Sequence, residues 1–182
     1  EVFMQAQVSY REWLKQDYGT LIDALKLEEL QKHFLRSRWL DQVLWMEGRA
    51  DSARNRYYAL RMITIIGGVI VPALVSLKLS DIGGSVIYGL TFAISLLVAI
   101  SAAVEEFFHY GERWRHYRRI VELMKIEGWQ FFQMSGPYRS YSTHADAYPV
   151  FATAVEEIIQ RDVDLYITRV VPEKEEKKEK PG

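Results

Sequence analysis

Two long apolar stretches occupy the middle of this chain. Neither residues 62–77 nor residues 82–104 contain a charged side chain. A helix needs about 20 residues, at about 1.5 Å each, to cross a hydrocarbon core of about 30 Å. The second stretch is long enough by itself, and the first is long enough once Lys78 extends its ammonium group to the membrane surface. The pattern predicts transmembrane helices over residues 62–79 and 85–104.

A short turn between the two stretches predicts that they form a hairpin. Residues 80–84 read Ser-Asp-Ile-Gly-Gly, and glycine allows the positive φ angles of a tight reversal. A buried helical pair in a soluble bundle is the alternative interpretation. Helices of that kind keep a polar side, whereas these stretches are apolar on every side. We therefore expect a transmembrane hairpin over residues 61–104.

The segment before the hairpin, residues 1–60, predicts helices with one buried side. A first helix is expected in the N-terminal residues, with a break at Gly19. From Leu21 onwards, apolar side chains recur at spacings of three and four, which is the period of an amphipathic helix. No proline interrupts this pattern before Pro72, so we expect the helix to continue into the first membrane span.

The segment after the hairpin, residues 105–171, predicts two more helices. The first reaches Met134, just before a Ser-Gly-Pro sequence, and the second begins near Pro149, because proline suits the first helical turn. Residues 172–182 form a mixed-charge tail without apolar anchors, which is expected to be disordered. The predicted fold class is all-α, with a cytoplasmic helical bundle and a two-helix transmembrane hairpin in a homo-oligomer.

Arginine residues are concentrated at one end of the predicted hairpin. Four precede the first span and four follow the second, whereas the turn carries only Lys78. The positive-inside rule therefore predicts that both termini lie in the cytoplasm, at the inner (plasma) membrane of a bacterium, with the thylakoid membrane as the alternative. The eight residues are Arg49, Arg54, Arg56, Arg61, Arg113, Arg115, Arg118 and Arg119.

Composition excludes several classes of function. The 182 residues include 23 Lys plus Arg and 24 Asp plus Glu, for a net charge of -1. Because no excess of cations is available to neutralise phosphates, we expect no nucleic-acid partner. The chain has no cysteine, and it shows neither a phosphate-binding loop nor a nucleophile with its base. We therefore expect no enzymatic activity, no cofactor and no metal.

Acidic and histidine side chains cluster just after the second span. At steps of four, three and four, residues 105, 109, 112 and 116 would share one face of a continuing helix. A hydrated face beside the bilayer is one interpretation. A metal site is another, since 106 and 109 have the spacing of di-iron bundles, but the chain has no second such motif. In an oligomer, glutamates here would form a ring that concentrates cations. The predicted selectivity residues are Glu105, Glu106, His109 and Glu112.

Small residues in both spans predict close helix packing, because they allow two helix backbones to approach. In the second span they recur at four-residue spacing. They are expected to pack either between copies in an oligomer or against the first span of the same chain. Proline in a transmembrane helix is also an expected kink or gating point. The predicted packing and gating residues are Gly67, Gly68, Pro72, Gly89 and Ala93.

Three strings carry a resemblance to a known family. They are RWLDQVLWMEGR at residues 38–49, IIGGVIVPALVS at residues 65–76 and VEEFFHYGERWR at residues 104–115. Over roughly residues 30–170 the chain resembles the bacterial family of unknown function DUF4231. Its layout is also similar to that of the SLATT two-transmembrane proteins, which are proposed pore-forming effectors in bacterial conflict systems. The resemblance implies helical flanks around a hairpin, and it implies no catalytic residues.

Together these features predict a homo-oligomeric membrane pore or ion channel that is permeable to cations. The expected partners are further copies of the chain, the lipid bilayer and inorganic cations. The alternative is a membrane-anchored scaffold whose cytoplasmic helices bind a protein partner through exposed aromatic side chains. The aromatic residues that would suit such a surface, or equally the core of a helical bundle, are Trp39, Trp45, Trp114, Trp129, Phe131 and Phe132.

Overall fold

The regular elements of the protein are all helical in the part of the chain that the structure, a computed structural model, describes. That part comprises residues 9–76 and 82–170, without the side chains of residues 82–83 and 164–170. The elements are α1 (Tyr10–Ala24), α2 (Glu29–Phe34), a π-helical segment (Leu35–Leu40), α3 (Asp41–Ser76), α4 (Ile82–Phe108), α5 (Tyr110–Phe132), a 3-10 turn (Gly136–Tyr138) and α6 (His144–Val170). The predicted all-α class is confirmed.

The chain divides into two compact units. The first, which we call the helical body, consists of Glu1–Glu47 and Arg118–Gly182, and the second, the hairpin unit, consists of Gly48–Tyr117. Helices α3 and α5 each contribute residues to both units. The hairpin unit therefore extends beyond the predicted membrane segment, residues 61–104, at both of its ends.

Helix α1 begins with a reciprocal cap. The Ser9 hydroxyl accepts a hydrogen bond from the Glu12 N–H at 3.3 Å, and the Glu12 carboxylate accepts one from the Ser9 N–H at 3.1 Å. The predicted break at Gly19 is wrong, because burying one side of α1 outweighs the cost of about 1 kcal/mol for a helical glycine. The break lies instead at Leu25, whose backbone is extended.

The chain is continuously helical from Glu29 to Ser76, so the predicted extension of the helix into the first apolar stretch is confirmed. The predicted start of this helix at Leu21 is wrong, because α1 ends at Ala24 and the extended backbone of Leu25 separates it from the next helix. The π-helical segment lies within this run. Its wide turn closes with the Asp41 N–H donating to the Arg36 carbonyl, five residues earlier. Such turns are short and rare, and this one places the Trp39 side chain in the interior.

The core of the helical body is built around aromatic rings. Trp39 is fully buried, and its indole N–H donates to the Met124 carbonyl at 3.0 Å. A Cβ at Gly128 would overlap the Trp39 ring, so glycine lets α5 approach the indole closely. Phe131 and Phe151, both fully buried, stack at a centroid distance of 4.4 Å. The aromatic contacts join α5 and α6 to the segment that holds Trp39.

Helix α5 ends at Phe132, two residues before its predicted end. Helix α6 begins at His144, and not near Pro149 as predicted, because Thr143 caps it: the Asp146 N–H donates to the Thr143 hydroxyl at 3.2 Å. Pro149 therefore lies inside α6 and not in its first turn.

In the hairpin unit, α3 and α4 are both long and apolar enough to cross a membrane. The 27 residues of α4 span about 40 Å at 1.5 Å each. This helix begins at Ile82, so residues 82–84 are helical and do not belong to the predicted turn. A helix satisfies the hydrogen bonds of backbone groups that a turn would leave without partners. Lys78, residues 80–81 and the tail 172–182 lie outside the described residues.

Candidate functional site

A single residue, His109, separates α4 from α5. Its φ of 49° is left-handed, a conformation that costs a non-glycine residue about 1–2 kcal/mol. Backbone hydrogen bonds continue on both sides of it: the His109 N–H donates to the Glu105 carbonyl at 2.8 Å, and the Arg113 N–H donates to the His109 carbonyl at 3.0 Å. The prediction that residues 105–116 share one face of a single helix is wrong, because this residue redirects the chain.

Tyr57 of α3 packs against the start of α5. A Cβ at Gly111 would lie 2.9 Å from Tyr57 Cε2, so glycine is needed where the ring lies this close. The same position would lie 3.6 Å from Glu105 Oε1. Glu105 is half-buried, and its carboxylate therefore lies inside the hairpin unit beside α5.

The other predicted selectivity residues, Glu106, His109 and Glu112, are exposed. Because successive residues are about 100° apart around a helix, Glu105 and Glu106 lie on different sides of α4. Within residues 9–76 and 82–170, no three Asp, Glu or His side chains converge as a metal site would require. The predicted set thus separates into one internal carboxylate and three exposed groups.

Gly67 lies where α3 and α4 meet. A Cβ on this residue would overlap the Val98 side chain and lie 3.4 Å from Ile94 Cγ2. The Cβ position of the next residue, Gly68, has no atom within 4 Å. Gly67 therefore permits the close approach of the two helices, whereas Gly68 lies away from this contact.

Pro72 lies inside α3, which continues to Ser76. Proline has no N–H to donate to the carbonyl four residues earlier, so it leaves one backbone acceptor of this helix without its usual partner. The Ser76 hydroxyl donates to the Pro72 carbonyl at 2.8 Å.

The small residues predicted in the second span do not all pack against α3. The Cβ position of Gly89 has no atom within 4 Å, and Ala93 is exposed. The contact with α3 is made instead by Ile94 and Val98. Of the two packing arrangements that the sequence allows, the structure excludes packing within one chain for Gly89 and Ala93.

An exposed seam runs along the side of α4 that faces away from α3. Its residues alternate at spacings of four and three, which is the pattern of helices that pack side by side in coiled coils. Small residues lie on both sides of two large ones, Phe92, which is 72% exposed, and Leu96, which is 50% exposed. The seven residues of this α4 seam are Ser85, Gly89, Phe92, Leu96, Ala99, Ala103 and Glu106.

Aromatic and cationic side chains meet where the hairpin unit leaves the apolar stretches. The Trp114 ring lies 6.2 Å from the Tyr57 ring and 5.6 Å from the Tyr58 ring, centroid to centroid. The Arg56 guanidinium carbon lies 5.6 Å from the centroid of the Tyr110 ring, within the range of a cation–π contact. These contacts connect α3 to α5.

The helical body holds a buried charge cluster that the sequence analysis did not single out. Glu47 is 1% exposed; Lys125 Nζ donates to its Oε1 at 2.7 Å, and Arg118 Nη1 lies 3.3 Å and 3.2 Å from its two oxygens. Arg118 also lies 2.7 Å from a Glu122 oxygen. The sequence feature that could have indicated this cluster is Glu47, an acidic residue on the apolar side of a predicted helix.

Lys125 is held in its charged form by these partners. Burial acts to lower the pKa of its ammonium group, but the hydrogen bond and charge of Glu47 outweigh burial, and the Tyr10 hydroxyl adds to them, so that the pKa is raised. The ammonium also lies 5.3 Å from the centroid of the Tyr10 ring. One cation thus links α1, α3 and α5.

The aromatic residues considered for a docking surface or a bundle core differ in burial. Trp39 and Phe131 are fully buried, so for these two the core interpretation is confirmed and the surface interpretation is wrong. Trp114 and Phe132 are half-buried. Trp45 and Trp129 are 44% and 41% exposed. Trp13, which the sequence analysis did not select, is 51% exposed and stacks on Tyr10 at 5.9 Å.

The fold and these features define an all-helical protein in which two helices could span a membrane. Residues 41–146 match the family of proteins of unknown function DUF4231, and the chain belongs to this family. The match begins with α3 and ends in the first turn of α6, so it includes both apolar helices. The resemblance to DUF4231 is thereby confirmed over residues 41–146. No curated protein and no solved structure matches the chain.

Proposed function

We propose that this chain is a two-span membrane protein whose copies assemble through α4 into a cation-permeable pore. The observation that carries the proposal is the α4 seam, an exposed face with the spacing of an interhelical contact. The resemblance of its layout to that of the SLATT proteins, which the sequence suggests, adds support, because a pore has been proposed for that group.

Membrane insertion is supported by the exposure of the apolar side chains. In each apolar helix, only 6% of the most hydrophobic 18-residue segment is buried. Val69, Val86 and Phe92 are 69%, 72% and 72% exposed. Exposed apolar surface costs about 25 cal/mol per Å² in water, and hydrocarbon removes this cost. A continuous surface of this kind is typical of a protein that contacts lipid or further copies.

Orientation follows from the arginines at one end of the hairpin unit. Arg56 and Arg61 on α3 and Arg113 and Arg115 on α5 all lie at this end and are exposed. Positively charged residues near membrane spans favour the cytoplasmic side. We therefore propose that both termini are cytoplasmic and that the protein lies in the bacterial inner membrane.

Assembly is needed because two helices cannot enclose a water path. The α4 seam combines small residues with Phe92 and Leu96, which favours interlocking with a second α4. Its spacing fits the left-handed crossing of about 20° that is common in membrane bundles. The helices of one chain meet through Gly67, so the seam is available for contacts between copies.

Glu106 is the residue that we propose for cation selectivity. It lies seven residues after Ala99 and occupies the last position of the seam. In a symmetric assembly, one Glu106 from each copy would form a ring of carboxylates at the cytoplasmic mouth. Glu105 lies beside Gly111 inside the hairpin unit and would act by holding the start of α5 in position.

The oligomeric state of the full chain in lipid nanodiscs tests the assembly. We expect a ring of four or more copies in the wild type and smaller species in Ala103→Phe, because the added ring prevents close packing at the end of the seam that carries Glu106. Ala102→Phe is the matched control, since Ala102 is also exposed but lies about 100° away around the helix. A wild-type monomer or dimer would rule out the pore.

Ion flux into liposomes tests the role of Glu106. We expect Glu106→Gln to reduce the preference for cations over anions, because it removes the charge from the proposed ring. Glu112→Gln removes an equally exposed carboxylate from α5 and should change selectivity less. Unchanged selectivity in Glu106→Gln would show that this residue does not select ions.

A membrane-anchored scaffold is the second candidate, favoured by exposed aromatic residues on the helical body. Tyr10 and Trp13 are 53% and 51% exposed and stack on each other. A groove of about 430 Å³ is lined by Ser9, Arg11, Glu12, Lys15, Asp41, Leu44 and Trp45. A partner that survives gentle solubilisation and is lost in Trp13→Ala would support this function. Intact binding in that variant would exclude this surface.

A further inference from the structure

We infer that the hairpin unit binds the phosphate group of an anionic phospholipid between Arg56, Tyr110 and Arg113. This inference rests on the membrane insertion proposed above and is independent of pore formation. The three residues come from two helices, α3 and α5, and belong to the same compact unit.

Tyr110 lies close to two cationic residues. The Arg56 guanidinium carbon lies 5.6 Å from the centroid of the Tyr110 ring. Arg113 follows Tyr110 by three residues in α5, which places the two on the same side of that helix. The side of α5 that carries Arg113 is therefore also the side whose tyrosine contacts the Arg56 guanidinium of α3.

The surrounding contacts hold this arrangement in place. Tyr57 packs against Gly111 at a distance that leaves no room for a larger residue, and its ring stacks on Trp114 at 6.2 Å. Phe108, the last residue of α4, stacks on Tyr110 at 5.4 Å. The backbones that carry Arg56 and Arg113 are thus fixed by packing, which lowers the entropy lost on binding.

The guanidinium groups are available to an external anion. Arg56 and Arg113 are exposed, and neither forms an ion pair with a carboxylate among the side chains that the structure describes. By contrast, Arg118 in the helical body is paired with Glu47 and Glu122. A phosphate would supply the negative charge that the hairpin unit does not supply at this position.

The depth of Arg56 in the membrane matches a phospholipid headgroup. The uncharged stretch of α3 begins at Met62, which is 50% exposed. Arg56 precedes Met62 by six residues, or about 9 Å along the helix. The headgroup layer on each side of a bilayer is about 5–8 Å thick, and an arginine side chain extends several ångströms. The guanidinium therefore reaches the level of the lipid phosphates.

The residue types select the phosphate of a lipid. A guanidinium presents paired N–H donors that match two phosphate oxygens. Tyrosine and tryptophan rings favour the membrane interface, where an apolar side meets water. The exposed apolar surface of α3 that starts at Met62 and continues through Ile65 and Ile66 provides a place for the acyl chains. A soluble phosphate would use the arginines but not this surface.

Native mass spectrometry of the full chain in micelles doped with phosphatidylglycerol or phosphatidylcholine tests the inference. We expect the wild type to retain phosphatidylglycerol preferentially. Each interfacial arginine contributes about a fivefold change, so Arg56→Gln with Arg113→Gln should weaken retention about 25-fold. Arg56→Lys with Arg113→Lys should lose part of the preference, because lysine keeps the charge without the paired donors.

The control is Arg11→Gln with Arg139→Gln, which removes the same charge from exposed positions of the helical body and should leave retention unchanged. Circular dichroism establishes that each variant remains folded. Equal retention of the two lipids by the wild type, or unchanged retention in the Gln variant, would overturn the inference. Displacement of the lipid by excess inorganic phosphate would also overturn it, in favour of a soluble anion. Because lipids are counted per chain, these outcomes do not depend on the number of copies.

Discussion

The helical body and the hairpin unit place the same kinds of side chain in opposite surroundings. In the helical body, Trp39, Phe131 and Phe151 are fully buried. In the hairpin unit, Phe92 is 72% exposed and Val69 is 69% exposed. The body completes an apolar core within one chain, whereas the hairpin unit leaves much of its apolar surface exposed. Side-chain hydrophobicity alone therefore does not determine burial.

Charged groups show the same contrast in reverse. The helical body encloses the Glu47 carboxylate and compensates it with Lys125 and Arg118. The hairpin unit keeps its arginines, such as Arg56 and Arg113, exposed at one end. A buried charge is stable only when partners within the fold compensate it. The helical body therefore needs the specific pairs of Glu47 with Lys125 and Arg118, whereas the exposed arginines of the hairpin unit are solvated or bind external anions.

The strongest test of this difference between the helical body and the hairpin unit is to remove the ring at the centre of the helical body. Trp39→Ala removes a fully buried indole and leaves a cavity, so we expect a loss of about 4 kcal/mol in the free energy of unfolding. Denaturant titration in detergent, followed by near-ultraviolet circular dichroism, measures it. The control, Trp13→Ala, removes an indole that is 51% exposed and should cost less than about 1 kcal/mol. Equal losses would contradict the assignment of the core.

The buried charge cluster provides the next largest effect. Lys125→Met leaves Glu47 without its closest partner, so we expect a loss of about 3 kcal/mol. The double variant Lys125→Met, Glu47→Gln should recover most of it. Because the folded pKa of Lys125 is raised, its contribution is fully present below the ordinary lysine value of about 10.4 and is lost as the pH rises through the raised value.

Unfolding curves at neutral and strongly alkaline pH check this prediction. The difference in stability between the wild type and Lys125→Met should shrink at the higher pH. A loss on Lys125→Met that the second substitution does not relieve would show that packing, and not charge compensation, is the main role of Lys125.

Adjacent glycines in α3 test the contact inside the hairpin unit. Gly67→Ala introduces a methyl group that overlaps Val98, so we expect a loss of about 2 kcal/mol. Gly68→Ala meets no atom within 4 Å and should be neutral or stabilising by up to about 1 kcal/mol, because alanine favours helix. Unfolding in mixed detergent micelles, monitored by helicity, measures both. A larger loss for Gly68→Ala would indicate that the crowded side of α3 has been misassigned.

The smallest effect is expected at an exposed ion pair of the helical body. Arg38 donates two hydrogen bonds of 2.7 Å to Glu156, and both side chains are nearly half exposed. Glu156→Gln should cost less than about 1 kcal/mol. The Arg38 hydrogen bond lowers the Glu156 pKa, so the contribution is present above the ordinary carboxyl value of about 4.3 and is lost as the pH falls through the lowered one.

The contribution of the Arg38–Glu156 pair is measured by following the free energy of unfolding at decreasing pH in the wild type and in Glu156→Gln. The result can be compared with the buried pair of Glu47 and Lys125, because an ion pair is expected to contribute little where water reaches it. A cost close to that of Lys125→Met would remove this distinction.

Length and periodicity were sufficient to predict the two apolar helices, because an uncharged stretch of this size has few alternatives in water or lipid. They could not predict the left-handed His109, since its conformation is set by contacts such as Tyr57 against Gly111. Nor could they pair Glu47 with Arg118 and Lys125, which lie 71 and 78 residues away. Local patterns define helices, whereas these features depend on which helices meet.

In the candidate site too, the sequence predicts local features but not which helix faces are in contact. A search for small residues four apart finds Gly89 and Ala93 but does not reveal which side of α4 is open. The alternation of four and three that defines the α4 seam is readable in the sequence. Its significance depends on the structural finding that Ile94 and Val98, and not the seam, contact Gly67.

The π-helical segment, Leu35–Leu40, has a consequence for how this family can vary in length. A wide turn accommodates one more residue than an α-helical turn without ending the helix. A relative that lacks one residue here could remain helical throughout, with an ordinary α-helical turn in place of the wide one, so that the residues before and after the segment keep their relative directions. Phe34 would then keep its contact with Tyr148, whose ring it meets at 5.9 Å. We therefore expect a one-residue deletion in this segment to occur without compensating substitutions on α6, which an alignment of family members would reveal.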